Sequence, residues 1–359
     1  FRHGHHSGKT YDSVILHVVS EADTEITRSN GEQIPQLLLT CPENVQLHYH
    51  ELCVADHYPA CYSILASLPK LTIHSWLTAL QTERLEQKAQ LITQRLKHCN
   101  SNWEDAFFIT LARNFGFGLN GDAFETWAGL LPFRAMDKHR NDLFQIEAFF
   151  YGLAGLLKET FLKKEQEDEY SLRLCKEFRY LQRKFEIGQG MDATLWRFLR
   201  LRPENFPHIR LAQLAYLYQK GDKLFSRLLE AETLADVRTL LDARTSPYWE
   251  NHYLFVRLSS QKEKVMGERS KDLIIINTVV PFLYTYGLHK ADERMCERAG
   301  RFLEELKAES NHIIRSWSDA GLPVVSAADS QALIQLQKEY CDKRKCLYCR
   351  FGYEYLKHT

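Results

Sequence analysis

Three cysteines near the C-terminus have a spacing that suits metal binding. Cys341, Cys346 and Cys349 form a C-x4-C-x2-C pattern within a basic stretch. Thiolates of this kind bind zinc or an iron–sulfur cluster, and zinc is the ion that we expect because a redox-silent tetrahedral site fits these ligands. Only three ligands are local, so a fourth, such as His358 or Cys296, has to come from elsewhere in the fold. The alternative interpretation is that three reduced thiols close a helical hairpin.

A second stretch combines arginine with aromatic residues in the segment LWRFLRLRPENFPHIRLAQLA. Guanidinium groups bind phosphate in a bidentate manner and aromatic rings stack on bases, so this segment predicts a nucleic-acid-binding surface. Pro207 falls in the first turn of the next predicted helix, whose N-terminus adds positive potential for an anion. In the alternative interpretation, the arginines pair with Glu204 or with neighbouring acidic residues, and the aromatic side chains belong to the core. The residues predicted to bind nucleic acid are Arg197, Arg200, Arg202, Asn205 and Arg210.

Two histidines near the N-terminus are the candidate catalytic residues. His5 lies in the opening FRHGHH, and His17 lies inside the apolar run VILHVVS. Histidine side chains can hold a metal ion or transfer protons at neutral pH. No carboxylate pattern accompanies them, so the alternative is a disordered terminus and one core histidine.

The composition bounds the class of protein. The chain has 359 residues, 45% of them hydrophobic and 26% charged, which is an ordinary globular composition and excludes a disordered chain or a small disulfide scaffold. Lys plus Arg and Asp plus Glu both total 46, so a strongly basic nucleic-acid coat protein is excluded, although a local basic patch is not. Nine cysteines without a framework spacing indicate a reducing, cytoplasmic compartment. No run of apolar residues is long enough to predict a membrane span.

The elements that must position these residues change character near residue 58. Residues 1–57 are predicted to be β-rich, with a buried strand at Val14–Ser20, a hairpin turn at Asn30-Gly31 and a returning strand at Gln36–Cys41. Helical periodicity dominates residues 58–359, which end in the cysteine-containing tail. The apolar stripe of Leu85, Ala89, Ile92 and Leu96 predicts a long helix over residues 71–98, and another helix is predicted over residues 222–243. We therefore predict an α+β fold in which a small N-terminal β layer packs on a large, mostly helical body. More than half of all residues should be helical.

Several longer motifs resemble a bacterial family known as domain of unknown function 2851. They are YDSVILHVV, LARNFGFGLNGDAFE, QIEAFFYGLAGLL, FLRLRPENFPHIRLAQLA, IINTVVPFLYTYG and SQALIQLQKEYCDKRKCLYCRFG, and the resemblance extends over essentially the whole chain. Members of this family carry an upstream segment similar to the metal-binding strands of restriction-endonuclease-like nucleases. The resemblance implies that the N-terminal β layer is an incomplete sheet of that fold, and that this chain begins after the catalytic carboxylates and is itself inactive. It also implies a metal-dependent phosphodiesterase or nuclease, using Mg²⁺, in the full-length protein.

The functional expectation follows from the arginine-rich segment and the resemblance together. We expect a nuclease-like, nucleic-acid-associated cytoplasmic protein whose catalytic strands are missing from this chain. A nuclease needs paired carboxylates to hold Mg²⁺ beside the scissile phosphate, and residues 1–57 offer no E-x-K, the nearest pattern being Glu25-Ile26-Thr27. The alternative is a non-catalytic helical protein that serves interaction or structure. Nucleic acid is the expected partner, and no membrane is expected.

Overall fold

The computed structural model describes residue 9 and residues 12–22, 24–57, 59–157 and 168–357. The chain divides into two compact units. The first contains Phe1–Trp76, Asn311–Pro323 and Leu333–Thr359, and the second contains Leu77–Ser310 and Val324–Ala332. The structure is 62% helical with two small two-stranded sheets, which confirms the predicted α+β class and its helical majority. No helix in the described ranges is long and apolar enough to cross a bilayer.

Helices account for most of the described backbone. The α-helices are α1 (Glu43–Val54), α2 (Tyr62–Leu65), α3 (Lys70–His98), α4 (Trp103–Phe115), α5 (Gly121–Gly129), α6 (Phe133–Asp137), α7 (Leu143–Leu153), α8 (Glu169–Lys184), α9 (Pro207–Lys220), α10 (Leu224–Glu230), α11 (Leu234–Leu240), α12 (Glu268–Ile274), α13 (Val280–Lys290), α14 (Glu293–Glu305), α15 (His312–Asp319), α16 (Ala327–Leu336) and α17 (Arg350–Lys357). Tighter or wider turns lie at Ala193–Leu195, Pro203–Asn205, Pro247–Asn251, Ile275–Val279, Gln337–Cys341 and Cys346–Tyr348. The strands are β1 (His17–Val19), β2 (Gln36–Leu38), β3 (His252–Leu254) and β4 (Arg257–Leu258).

The predicted hairpin turn is present, but its strands pair differently. Gly31 has a φ of +84°, and the amide of Arg28 donates a 2.8 Å hydrogen bond to the carbonyl of Glu32 across the turn. Beyond the turn, β2 pairs in parallel with β1, with His17 opposite Gln36. A turn signal fixes the local reversal of the chain, whereas the choice of partner strand depends on contacts that are distant in sequence.

The strand predicted to be buried on both faces is instead mostly exposed. Ile15 is 82% exposed and Val18 is 52% exposed. In the described part of the chain β1 has a single neighbouring strand, so its apolar side chains have little surface to pack on. The prediction of a buried strand at Val14–Ser20 is therefore wrong for this structure.

A helix also lies inside the segment that was predicted to be β-rich. Pro42, expected to close a strand, occupies the N-cap position of α1, and Glu43 follows in its first turn. Proline is tolerated at helix starts because the first amides have no partner within the helix, and an acidic side chain there complements the helix dipole. The same residues therefore end the extended segment and begin a helix.

Within the first unit, α17 packs against α1 and α2. The hydroxyl of Tyr355 donates a 3.0 Å hydrogen bond to Glu51, and its ring lies edge-on to His48 at 5.9 Å. The rings of Trp317 and Phe351 lie 6.3 Å apart in the core of this unit. These contacts join the C-terminal tail to the helices that follow the first sheet.

The second unit is built around two almost fully buried helices, α7 and α9. Residues 146–153 of α7 are all buried, as are residues 207–215 of α9, so neither helix has a solvent-facing side over these stretches. Aromatic side chains fill much of the surrounding core, and the indole of Trp127 donates a 3.0 Å hydrogen bond to the carbonyl of Phe150. The aromatic excess of the composition therefore serves packing.

A wider turn of helix joins α12 to α13 around a proline. Pro281 cannot donate a hydrogen bond to the carbonyl of Asn277, which would be its partner in a regular helix. That carbonyl accepts a 3.0 Å hydrogen bond from the side-chain Nδ2 of Asn114 instead, and the same nitrogen donates a 2.8 Å hydrogen bond to the Thr278 hydroxyl. The Asn114 side chain of α4 thus satisfies the backbone carbonyl that the proline leaves without a hydrogen-bond donor.

Candidate functional site

The segment 197–202, which we call the arginine turn, lies on the surface of the second unit. Arg197, Arg200 and Arg202 are all exposed. No described Asp or Glu side chain forms an ion pair with any of these three guanidinium groups. Glu204, the acidic residue nearest in sequence, pairs with Lys262 at 2.6 Å. The charge of the turn is therefore available to a ligand.

The backbone of the arginine turn is held from below and reverses sharply at its tip. The side chain of the buried Asn120 accepts a 2.8 Å hydrogen bond from the Arg197 amide and donates one of 2.9 Å to the Arg197 carbonyl. The Leu201 amide donates a 3.2 Å hydrogen bond to the carbonyl of Phe198. Arg200 has a φ of +66°, so it occupies the third position of a type II turn, where glycine is usual.

Two of the predicted nucleic-acid contacts are engaged within the fold, since Arg210 is buried and Asn205 is half-buried. Arg210 is buried, and its guanidinium donates hydrogen bonds to Asn205 at 2.5 Å and to Gln213 at 2.8 Å. The guanidinium also stacks on the ring of Phe117, 4.4 Å from its centroid. Burial lowers the pKa of Arg210 to about 10. Arg210 and Asn205 thus fasten the arginine turn to α9, while the three exposed arginines face outward.

The aromatic residues beside the arginine turn pack into the fold. Trp196 is buried, and its indole donates a 2.9 Å hydrogen bond to the carbonyl of Ala154. Phe198 is half-buried and meets Phe206 edge-on at 5.4 Å. The N-terminal residue of α9, Pro207, is buried as well. Base stacking and the helix N-terminus therefore add nothing to the exposed surface here.

A small cavity in the first unit is lined by four cysteines. Cys341, Cys346 and Cys349 come from the tail, and Cys61 comes from the residues just before α2. All nine cysteines of the chain are free thiols. The structure thus brings the three predicted ligands together and adds a fourth that the sequence did not single out.

Burial and mutual repulsion shape the acidity of these thiols. Burial raises the pKa of Cys61, and the nearby Cys349 and Cys346 raise it further. The pKa of Cys341 is raised in the same way, first by burial and then by Cys349 and Cys61. Burial also raises the pKa of Cys349, an effect that the amides of Gly352 and Phe351 oppose by hydrogen bonding to its sulfur. All four thiols are therefore close enough to sense one another's charge.

Neither of the fourth ligands suggested by the sequence takes that place. His358 lies outside the described residues. Cys296 belongs to α14 of the second unit, where its thiol lies 3.6 Å from the carbonyl of Tyr284. Cys61 is 280 positions before Cys341, so no local spacing could have identified it.

The candidate catalytic histidines stay predictions. His5 lies outside the described residues. His17 is half-buried in β1, and its Nδ1 has no hydrogen-bond partner in the described part of the chain.

A cleft of about 730 Å³ in the second unit holds a group of carboxylates that the sequence did not reveal. Burial raises the pKa of Asp105 to about 6, with the charges of Asp137 and Glu104 adding to the effect. Asp137 accepts hydrogen bonds from the Tyr218 hydroxyl at 2.7 Å and from Arg140 at 2.6 Å.

The carboxylates of this cleft already have structural partners. Glu104 accepts hydrogen bonds of 3.0 and 2.9 Å from the amides of Phe225 and Ser226, at the start of α10. Asp105 accepts one of 2.8 Å from the side chain of Asn102, the N-cap residue of α4. We therefore assign these carboxylates to helix capping and packing.

Comparison with protein families finds a match over most of the chain. The model of the family described as "Protein of unknown function (DUF2851)" matches residues 1–312. The chain belongs to the DUF2851 family. Comparison with curated proteins and with solved structures gives no match.

The DUF2851 match includes the whole of one candidate site and only part of the other. It contains the whole arginine turn, the acidic cleft and Cys61. It ends before the tail that carries Cys341, Cys346 and Cys349, although the resemblance seen in the sequence extended into that tail. The arginine turn is therefore part of the DUF2851 region, and only one of the four thiols is.

Proposed function

We propose that this DUF2851 protein associates with nucleic acid in the cytoplasm and holds the phosphate backbone with the arginine turn. The observation that carries the proposal is the exposure of three guanidinium groups without an ion pair to any described carboxylate. The nearest acidic side chain in sequence, Glu204, is occupied by Lys262. Arg202 is near enough to Glu204 to help lower the pKa of that carboxyl, but it forms no ion pair with it. A guanidinium group without an ion pair stays available to phosphate.

The rigidity of the arginine turn supports this role. Asn120 fixes the backbone at one end of the turn, and the buried Arg210 fixes it at the other through Asn205. A left-handed conformation at a residue other than glycine costs of order 1 kcal/mol, so Arg200 is kept there against a conformational preference. A prearranged set of guanidinium groups loses less entropy when it binds an anion.

Phosphate contacts, rather than base contacts, are the expected mode of binding. The aromatic residues Trp196 and Phe198 are engaged in packing and leave no exposed ring in the turn for base stacking. Contacts to phosphate carry little sequence information, so we expect weak discrimination between sequences. The nuclease-like activity implied by the family resemblance stays a prediction.

The test is binding of labelled single-stranded and double-stranded DNA by fluorescence anisotropy at low salt. Replacement of Arg200 by glycine removes the charge, and a φ of +66° suits glycine, so the turn should keep its shape. We expect Arg200→Gly to weaken binding by about 3- to 10-fold, and the double variant Arg197→Ala/Arg202→Ala to weaken it further. Arg183→Ala, which removes an exposed arginine of α8, is the matched control and should leave affinity unchanged.

Two results would contradict the proposal. One is the absence of DNA binding by the wild-type chain at low salt. The other is binding that responds equally to Arg200→Gly and to Arg183→Ala. Either result favours the alternative of a non-catalytic interaction protein. In that case the exposed Leu199 at the tip of the turn is an apolar contact for a protein partner.

A further inference from the structure

The cysteine-lined cavity of the first unit combines residues from the two ends of the chain. Cys61 precedes α2, whereas Cys341, Cys346 and Cys349 surround the short turn that precedes α17. Apart from sulfur, the side chains around the cavity are mainly apolar, with Leu52, Ala55, Ala60 and Trp317 among them. Four thiols with few competing oxygen or nitrogen donors form a ligand set selective for thiophilic metals.

We propose that Cys61, Cys341, Cys346 and Cys349 bind a single zinc ion. The four cysteines supply the complete tetrahedral ligand set of a structural zinc site. The cavity that they line is small, with a volume of about 30 Å³. This inference is independent of nucleic-acid binding.

The surroundings of the cavity compensate the negative charge that four thiolates would carry. Arg344 lines the cavity and brings a permanent positive charge. The amides of Phe351 and Gly352, in the first turn of α17, point to the sulfur of Cys349. Hydrogen bonds from free amides at a helix start stabilise a thiolate and orient it toward a metal.

The turn between Cys346 and Cys349 is shaped by a glycine. A Cβ atom on Gly352 would collide with the carbonyl oxygen of Cys346. The absence of a side chain at this position lets the turn lie directly on α17, which places Cys346 and Cys349 at the same cavity. Gly352 is thus a positioning residue for the site.

Zinc binding requires a change in the side-chain rotamers of these cysteines. In the described chain no group of three or more His, Cys, Asp or Glu side chains already has metal-binding geometry. The four thiols line a common cavity, and a cysteine side chain reorients by rotation about a single bond. Once bound, zinc would tie the residues before α2 to the C-terminal tail and so contribute to the stability of the first unit.

The first test measures metal in the untagged 359-residue chain. Elemental analysis should find about one zinc per chain after gel filtration. Titration with a mercurial reagent should release that zinc as four thiols react, and reconstitution with Co²⁺ should give a thiolate-to-cobalt charge-transfer absorption. These readouts use the wild-type chain, so they do not depend on the folding of any variant.

The second test uses matched cysteine variants. Cys61→Ser and Cys346→Ser should lower zinc affinity by at least about 10-fold against a competing chelator. Cys175→Ser is the control for burial, since Cys175 is 8% exposed and Cys61 is 7% exposed. Cys53→Ser is the control for proximity, because Cys53 lies near Cys346 without lining the cavity. Both controls should retain zinc.

Three outcomes would overturn the proposal. The first is a wild-type chain that holds no zinc and whose nine thiols are all freely alkylated. The second is zinc that is retained equally by Cys61→Ser and Cys175→Ser. The third is iron with inorganic sulfide in place of zinc, which would contradict the single-ion assignment.

Discussion

At the residue scale, Glu147 is a carboxyl group whose burial disfavours its charged form. It belongs to α7 and is fully buried. One of its oxygens accepts a hydrogen bond from the Tyr170 hydroxyl, and the other has no hydrogen-bond partner in the described part of the chain. Burial raises the pKa of Glu147 to about 7, because the charged form loses its hydration.

The raised pKa of Glu147 makes the stability of the fold depend on pH. The folded state holds the Glu147 proton to higher pH than the unfolded state, whose pKa is 4.5. The stability that Glu147 contributes by holding this proton is fully present below about pH 4.5. It is lost as the pH rises through about 7, which lowers the free energy of unfolding by about 3 kcal/mol. Glu147→Gln removes the titration. We therefore expect the variant to gain stability relative to wild type between about pH 5 and about pH 8, measured by urea denaturation.

A stability difference between Glu147→Gln and wild type that is the same at both pH values would contradict this account. Because the comparison subtracts the titration of every other group, the pH dependence of the difference isolates Glu147. Burial supplies the physical reason for the effect, because it outweighs the polar groups of Tyr170, Ser246 and Trp249, which favour the charged form of Glu147.

At the element scale, the positions of a long helix and of the strands β1 and β2 could be predicted, whereas the parallel pairing of these strands could not. Helical periodicity predicted a helix over residues 71–98, and the structure has α3 at Lys70–His98. The helix predicted over 222–243 is broken because Thr233 caps a new helix through Asp236. The capping residues start a new helix although the apolar periodicity continues, because they donate and accept hydrogen bonds at backbone amides that have no partner within the helix.

In the candidate sites, too, local sequence spacing could be used for prediction, whereas contacts between distant residues could not. The spacing of Cys341, Cys346 and Cys349 is visible in the sequence, whereas Cys61 reaches them only through the packing of α2 against α17. Similarly, the arginines of one segment look alike in sequence. Only the fold separates the exposed Arg200 from the buried Arg210.

Gly352 offers a test of the cysteine turn at the level of its supporting element. Gly352→Ala places a methyl group against the carbonyl of Cys346, so we expect a loss of about 1–3 kcal/mol in stability and weaker zinc binding. Gly300→Ala is the matched control within α14, where a Cβ meets nothing within 4 Å. That control should gain about 0.5–1 kcal/mol, because alanine favours helix over glycine.

Urea denaturation and zinc content measure the two effects separately. If Gly352→Ala and Gly300→Ala changed stability in the same direction and left zinc content unchanged, the close approach of the turn to α17 would be unimportant. Such a result would contradict the positioning role of Gly352.

At the scale of the whole molecule, the balance of charge restricts how nucleic acid can be bound. The chain has 46 basic and 46 acidic residues, so a general electrostatic attraction to DNA is absent at neutral pH with histidine uncharged. Binding must therefore come from a local group of cations, and the arginine turn is the group on which the proposal rests. The number of arginines in the turn sets the number of phosphates that it can neutralise.

The salt dependence of DNA binding tests the central claim most directly. Three arginines that each neutralise one phosphate predict a slope of about −3 for log affinity against log salt with double-stranded DNA. The triple variant Arg197→Ala/Arg200→Gly/Arg202→Ala should bring the slope close to zero. A wild-type affinity that does not change with salt, or a slope that is the same in the triple variant, would contradict the claim.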